Sequence, residues 1–490
     1  MSSLKKESFK GMFWLSLGKI GTGVSSFVVT ILLARLLTPE DFGLIELLMI
    51  FIAISNIFID SGFGQAIIRE QEPSQTDLSS IFWLNFGVAV FLYVFLFFIA
   101  IYIATFFNEP RLVELSRVTF LVIIFNSLVI VQNATLTSQL NFKAISQANV
   151  IGMFGAGILT LILAFLNMGV WAITANIVLQ PLFKSIALWY YSTWRPSLIV
   201  NVNSINKYFS FGGFLLLEGL MDSIVTNISS LFIGKLYNKA ELGYYSQGKK
   251  LNGYIISPFF SVVQQVTYPM IAKIGNEKER NREANRAMIQ LLSFVFMPLS
   301  LFMCIQGVFV TVVLFGEKWS ASGIFLSISA ISGIFYPIQI LSENIIKVKG
   351  KSKSMFYISG IKQAIRICAI LSLVNINIIS LACGVTLSGI VGGLLYTIFA
   401  FKLIEYKWIT FFMDQWKTLF ASILSSCIII VVSSFLCKYS LLNMIYLIVI
   451  QCVSYLVISM CLKNRSLKLI SSFIVNKYTN KKFLSRYERK

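Results

Sequence analysis

The sequence predicts an all-α integral membrane protein of about 14 transmembrane helices, and three observations predict it. Of 490 residues, 57% are hydrophobic and 13% charged, about half the charged share of an ordinary soluble domain. The apolar residues gather in long blocks such as Ile81–Phe107 and Leu419–Cys437, near the ~20 residues with which a helix crosses ~30 Å of hydrocarbon. The blocks lack the strict alternation of barrel strands, so helices are the way this backbone satisfies itself in lipid.

Taken in order, spans are predicted to begin near Met12, Gly43, Ile81, Leu112, Gln147, Val170, Phe211, Leu251, Ala287, Ser322, Ser354, Ile376, Lys417 and Leu441. The first follows Lys5, Lys6 and Lys10. It runs too long for a signal peptide and lacks a small-residue cleavage site, so it counts as a span. The links are short. The longest charged one, Gly275–Arg286, reads as a solvated helix extension. Lys and Arg outside the spans fall mostly on the N-terminal side, including Lys347, Lys349, Lys351, Lys353 and the tail Lys463–Lys490. That asymmetry predicts cytoplasmic N- and C-termini, hence an even number of spans, and a periplasmic loop around Thr38–Asp41. The net charge of +20 sits in these flanks, which suits attraction to anionic lipid rather than a nucleic-acid groove.

An internal repeat organises the spans. Ala34-Arg-Leu-Leu-Thr-Pro-Glu-Asp-Phe-Gly-Leu44 is echoed 200 residues later by Gly234-Lys-Leu-Tyr-Asn-Lys-Ala-Glu-Leu-Gly-Tyr244. Arg35 meets Lys235, Leu36 meets Leu236, Asp41 meets Glu241 and Gly43 meets Gly243. About six spans separate the copies, so both enter the membrane in the same sense, as in transporters built from parallel repeats. The expected organisation is a six-helix lobe over 1–200, a second over 201–410, two further helices over 411–462 and a basic tail over 463–490. Glycines within spans (Gly18, Gly21, Gly23, Gly155, Gly157, Gly389, Gly392, Gly393) would let helices approach closely.

Several chemistries are excluded. There is no histidine, and the seven cysteines lie in or beside apolar spans without metal-ligand spacing. No P-loop, nucleophile elbow or paired-carboxylate pattern appears. No catalytic residue, metal site or cofactor is expected, and the chain is not expected to be an enzyme.

Leu33-Ala-Arg-Leu-Leu-Thr-Pro-Glu-Asp-Phe-Gly43 resembles the first periplasmic loop motif of polysaccharide exporters in the MATE-like flippase superfamily. The likeness continues through Asp60-Ser-Gly-Phe-Gly-Gln-Ala-Ile-Ile-Arg69, Phe106-Phe-Asn-Glu-Pro110, Gly169-Val-Trp-Ala172, Leu242-Gly-Tyr-Tyr245 and Phe315-Gly-Glu-Lys-Trp319. In order and spacing these are similar to the Wzx-type branch of colanic and teichuronic acid exporters, over roughly residues 5–460. The resemblance implies two six-helix lobes with two helices outside them. It also implies export of undecaprenyl-pyrophosphate-linked oligosaccharide repeat units, and the polymerase and glycosyltransferases of the same pathway as partners. It does not identify the sugar.

Ionisable groups inside spans are costly and usually face a cavity or a partner. Five cations qualify: Lys19, Arg117, Lys184, Lys362 and Arg366. Lys362 and Arg366 are four apart, on one helical face, and Lys19 lies on a polar stripe with Ser16, Thr22, Gly23 and Ser26. A pyrophosphate head group needs cations at its depth, so Lys19, Lys362, Arg366 and Arg117 are the candidate substrate-binding residues. Arg117 and Lys184 lie nearer span ends, where snorkelling to the interface competes. Glu218 and Asp222 share a face of the seventh span. They are candidates either for a coupling site for Na⁺ or H⁺ and a gate against Lys19, or for plain neutralisation of a neighbouring cation. Glu46, Asp60 and Glu343 lie nearer the interfaces and are assigned no role. Two other functions stand beside the flippase reading: a cation-coupled multidrug exporter of the same superfamily, which should present an acidic cavity, and a membrane-embedded glycosyltransferase or polymerase, which would need a large polar catalytic loop.

Overall fold

The computed structural model describes residues 18, 21–60, 62–70, 73–274, 278–436 and 438–467, with side-chain positions at all of these except 69, 210–215, 218, 257–274, 278, 280, 281 and 352. The regular structure of the described residues is helical, joined by short loops of which 192–201 is the longest. In chain order the helices are α1 (Gly21–Leu36), α2 (Pro39–Asp60), α3 (Phe63–Arg69), α4 (Gln75–Phe106), α5 (Leu112–Thr119), α6 (Leu121–Ser138), α7 (Phe142–Phe165), α8 (Val170–Tyr191), α9 (Val202–Leu236), α10 (Lys239–Ile274), α11 (Lys278–Phe315), α12 (Ser320–Val348), α13 (Ser352–Leu373), α14 (Ile378–Leu403), α15 (Trp408–Ser434) and α16 (Leu441–Cys461). Among the described residues, eleven helical stretches are long and apolar enough to cross a membrane, and α1 is a shorter apolar helix. From α2 onward the predicted span starts lie within two residues of the observed helix starts for α5, α8, α12, α13, α14 and α16, and four to twelve residues inside the helix for α2, α4, α7, α9, α10, α11 and α15. The start near Met12 lies outside the described residues.

The helices punctuate themselves by local chemistry. Ser74 caps α4 in a reciprocal box with Asp77, and Asn141, Asn377 and Ser440 cap α7, α14 and α16, satisfying first-turn N–H groups that lipid could not. Pro181, Pro298 and Pro337 sit inside α8, α11 and α12. In α11 the helix is also interrupted at Gln306. Each proline removes one helical hydrogen bond, which a long helix in a bundle tolerates.

The chain divides into two compact units, Met1–Ser246 and Gln247–Lys490. In the first, the two copies of the sequence repeat meet. α1 ends at Leu36 and α2 begins at Pro39, while α9 ends at Leu236 and α10 begins at Lys239, an offset of 200 residues at both boundaries. Both turns carry the same reciprocal cap. Thr38 Oγ1 accepts from the Asp41 N–H at 3.3 Å while Asp41 Oδ2 accepts from the Thr38 N–H at 3.0 Å. Asn238 Oδ1 likewise accepts from the Glu241 N–H at 2.7 Å, and Glu241 Oε2 from the Asn238 N–H at 3.4 Å. The paired acids Asp41 and Glu241 are therefore helix starters. A methyl group on Gly43 would overlap the carbonyl oxygen of Lys239, and one on Gly243 would overlap that of Pro39. The first turns of α2 and α10 thus cross with no room for a side chain at either glycine. The Phe106–Pro110 motif sits at the same turns. Lys235 Nζ donates to the Phe106 carbonyl, and Glu109, 6% exposed, holds Arg111 at 2.7 Å and Lys239 at 2.8 Å. The hydrogen bond from Arg111, outweighing burial and helped by Lys239, holds the Glu109 carboxyl down at about 2.

In the second unit α11 and α12 pack most intimately. A Cβ on Gly307 would lie 2.6 Å from the Gly323 carbonyl oxygen, the close backbone approach that small residues allow between membrane helices. The sequence expectation for glycines is met at Gly18, Gly155, Gly157, Gly392 and Gly393, whose Cβ positions abut Ser146, Phe183, Val29, Lys362 and Gln339; Gly21, Gly23 and Gly389 have nothing within 4 Å. α15 is tied to α11 by Arg286, whose Nη2 reaches Asp414 Oδ1 at 2.7 Å while the Tyr406 hydroxyl donates to Asp414 Oδ2 at 2.8 Å. α16 is seated by polar groups: Gln451 Nε2 donates to Ser425 Oγ and Ser426 Oγ at 3.2 and 3.3 Å, and the Tyr455 hydroxyl donates to the Phe294 carbonyl at 2.8 Å.

Candidate functional site

The residues singled out by charge are dispersed over several helices. Lys19 lies outside the described residues. Glu218 falls on α9, with its side chain outside the described set, and Asp222 follows one turn later with an accessible side chain. Arg117, on α5, is half-buried; its guanidinium carbon stands 4.3 Å from the centre of the Phe97 ring, and its Nε is enclosed without a hydrogen-bond partner. Lys184 is half-buried on α8, with its Cβ against Gly152 of α7. Lys362 and Arg366 share a face of α13, both half-buried. The Lys362 stem lies in the notch that Gly392 leaves on α14, and its ammonium is 6.0 Å from the Tyr396 ring. α13 therefore carries its two cations at a helix-packing seam within the second unit.

A different set of residues converges in the first unit. α2, α3, α6 and α9 enclose a cavity of about 610 Å³. Its polar lining is Asn56 and Asp60 from α2, Gln65 from α3, and Asn126 and Asn133 from α6. Helix periodicity explains the convergence: Asn56 and Asp60 are four apart, and Asn126 and Asn133 seven apart, so each pair lies on one face. The Asp60–Arg69 motif builds the floor. Gly62 adopts a left-handed φ of 73°, which breaks α2 and turns the chain into α3. Asp60 Oδ1 accepts from the Gly64 N–H at 3.2 Å. Phe63 and Ile67 are buried at 2% and 0%, which leaves Asp60 and Gln65 accessible. Asn126 Nδ2 donates to Asn56 Oδ1 at 2.9 Å, while Asn133 Oδ1 is enclosed with no hydrogen-bond partner. Aliphatic groups of Ile57, Ile130 and Leu216 complete the wall. The sequence analysis passed over these amides because it weighed only ionisable groups inside spans. Their i,i+4 and i,i+7 spacing was the signal that could have found them.

The family described as "Polysaccharide biosynthesis protein" matches residues 32–324, more than half of the chain. This chain belongs to that family. Among curated members of the polysaccharide biosynthesis group, it is 26% identical to the teichuronic acid biosynthesis protein TuaB of Bacillus subtilis (strain 168), over 73% of this chain and 74% of TuaB. It is 24% identical to the lipopolysaccharide biosynthesis protein WzxC of Escherichia coli (strain K12), over 65% of each. In three dimensions it is similar to the lipid II flippase MurJ in an inward closed conformation, with a TM-score of 0.74, 14% identity, and 91% of this chain and 98% of MurJ covered. It is also similar to an inward-facing multidrug resistance transporter of the MATE family, with a TM-score of 0.60, 14% identity, and 78% and 94% covered. The fold is thus MATE-like and multi-pass, and the family to which the chain belongs is one of polysaccharide biosynthesis. The likeness in fold runs to transporters, which favours transport over the glycosyltransferase or polymerase reading.

Proposed function

We propose that this protein moves undecaprenyl-pyrophosphate-linked oligosaccharide repeat units, of an O-antigen, capsule or exopolysaccharide, from the cytoplasmic to the periplasmic leaflet by alternating access. The observation that carries the reading is an amide-lined cavity of about 610 Å³ inside a polysaccharide-biosynthesis protein of MATE-like fold. A drug exporter selecting cations would favour a strongly acidic cavity; among the described residues this one is lined by one carboxylate and four carboxamides. In this reading α1, α9 and α10 join the eleven apolar stretches to make fourteen spans. The lobes are 1–200 and 201–410, 411–462 lies outside them, and both termini are cytoplasmic.

Lys19, Arg117, Lys362 and Arg366 receive the pyrophosphate during transport. Glu218 and Asp222 act between cycles as counter-charge or as the site of a coupling Na⁺ or H⁺. An isolated cation at mid-membrane costs at least ~2.5 kcal/mol, which is the reason each needs such a partner.

Deletion with leaflet-resolved analysis of lipid-linked intermediates tests the reading. The repeat unit should accumulate facing the cytoplasm. Arg366→Ala should weaken export at normal protein level, and Arg366→Lys should rescue in part because the bidentate fork is lost. Normal export by Arg366→Ala removes that residue from the site, and absence of accumulation in the deletion strain refutes the function.

A further inference from the structure

The cavity of the first unit has a composition that the head-group cations do not explain. We propose that it is the subsite for the sugar, binding hydroxyl and acetamido groups of the repeat unit through Asn56, Asn126, Asn133 and Gln65; the proposal rests on the flippase reading above.

Chemistry separates this from the other occupants such a cavity could take. A pyrophosphate needs cations, and among the described residues no Lys or Arg lines the space. A bare metal cation needs six or more oxygens closing to within roughly 2.6 Å. Here, among the described residues, one carboxylate that already accepts from the Gly64 N–H shares about 610 Å³ with four amides. That volume falls within the roughly 300–1,000 Å³ of sites that enclose small organic ligands. A drug-like apolar molecule would leave the amides unmet.

Sugar hydroxyls both donate and accept, and so do carboxamides, so a pair of adjacent hydroxyls can bridge the oxygen and nitrogen of one Asn. The Asn126–Asn56 hydrogen bond at 2.9 Å holds two amides together and leaves Asn56 Nδ2 and Asn126 Oδ1 for a ligand. Asn133 Oδ1, enclosed without a partner, is an acceptor waiting for a donor. Ile57, Ile130 and Leu216 offer an aliphatic wall to the C–H face of a ring. The substrate class expected at this subsite is a neutral or N-acetylated hexose. The carboxylate of Asp60 would take a hydroxyl as donor and would repel an acidic sugar.

The test uses the full chain in membranes of a producing strain whose own copy is deleted. p-Benzoylphenylalanine replaces Ile68, which lines the cavity and is 43% exposed; after irradiation the adduct is weighed by mass spectrometry. The expected adduct carries sugar mass, and the same probe at Phe356, 63% exposed on α13, gives none. Asn133→Leu, and separately Gln65→Ala at the accessible rim, should each lower the glycan adduct at equal protein level by roughly five- to tenfold, the worth of one ligand hydrogen bond. A sugar-free adduct, no adduct, or a yield unmoved by both substitutions overturns the subsite. So does a thermal stabilisation by NaCl over choline chloride that Asp60→Asn abolishes, which would make the cavity an ion site. If the deletion strain still accumulates the cytoplasm-facing intermediate, the flippase reading survives that loss.

Discussion

The crossing of α2 and α10 gives the sharpest mechanical prediction. Gly43→Ala adds one methyl where the Lys239 carbonyl already stands. The Lys239 carbonyl carbon would be 2.8 Å from the new Cβ and has to retreat to at least 3.4 Å, where ordinary contact begins. The obstacle is backbone, so no rotamer change relieves it, and overpacking of this kind costs about 1–3 kcal/mol. That energy is drawn from the closed crossing and shifts its opening equilibrium by roughly 5- to 150-fold. Ser246, 2% exposed and one turn beyond Gly243 on α10, is a near-isosteric site for a reporter cysteine. In a background without the native cysteines, Ser246→Cys should react with a maleimide faster by that factor when Gly43→Ala is present. Gly243→Ala should act alike, and the double variant should cost less than the sum, because the first methyl has already parted the helices. Equal labelling rates with and without Gly43→Ala would refute the argument that this contact is tight and closed.

Three further outcomes follow from the ion pairs and the charge pattern. The Glu109 carboxyl, held at about 2 against an ordinary 4.5, stabilises its turn fully above pH 4.5. That contribution, reduced by solvent screening around the exposed Arg111 side chain to about 1 kcal/mol, is lost as pH falls through about 2. Amide exchange over residues 104–112 should therefore quicken from pH 5 to pH 2.5 beyond its intrinsic rate, and Glu109→Gln should be protected less at pH 7 and show no such step. Asp414→Asn strips the ionic partner from Arg286, whose side chain is 22% exposed, at a cost of about 3 kcal/mol; a lower melting temperature in detergent, partly restored by Asp414→Glu, is expected, and unchanged melting would count against the pair. A cysteine at position 480 should resist impermeant reagents applied from outside, and its reaction would reverse the topology.

Much of the fold was legible because hydrocarbon leaves few options. Length and apolarity set the helices from α2 to α16, and the motif pair at 34–44 and 234–244 foretold a repeat that the structure places at matching turns. The motif could not say why its acids match: Asp41 and Glu241 look like conserved-sign charge in sequence, and only the reciprocal caps show them to be helix starters. The site was harder to see. Charge draws the eye to Lys362, yet its stem fits a glycine notch, a contact that depends on the register of α13 against α14. Asn56, Asn126 and Asn133 are modest residues in apolar helices, and their meeting depends on how α2 and α6 pack, which one-dimensional periodicity leaves open. Asp60 was given no role because nothing in the apolar run announces that Gly62 turns the chain and that α3 follows at once.

The seating of α16 bears on how the protein is made. Its buried residues, Leu447, Gln451, Tyr455 and Ser459, form a single row at four-residue spacing, and the rest of its surface is open to lipid. A helix turns by about 100° per residue, so slipping α16 by one position would swing Gln451 away from Ser425 and Ser426 and into hydrocarbon. α16 follows α11 and α15 in the chain, so it docks on a surface that those helices must already have formed. Its hydrogen bonds to Ser425, Ser426 and Phe294 make its seating depend on theirs. Where α11 and α15 are misassembled no row of partners is presented, and Gln451 is left as an unmet polar group in the bilayer.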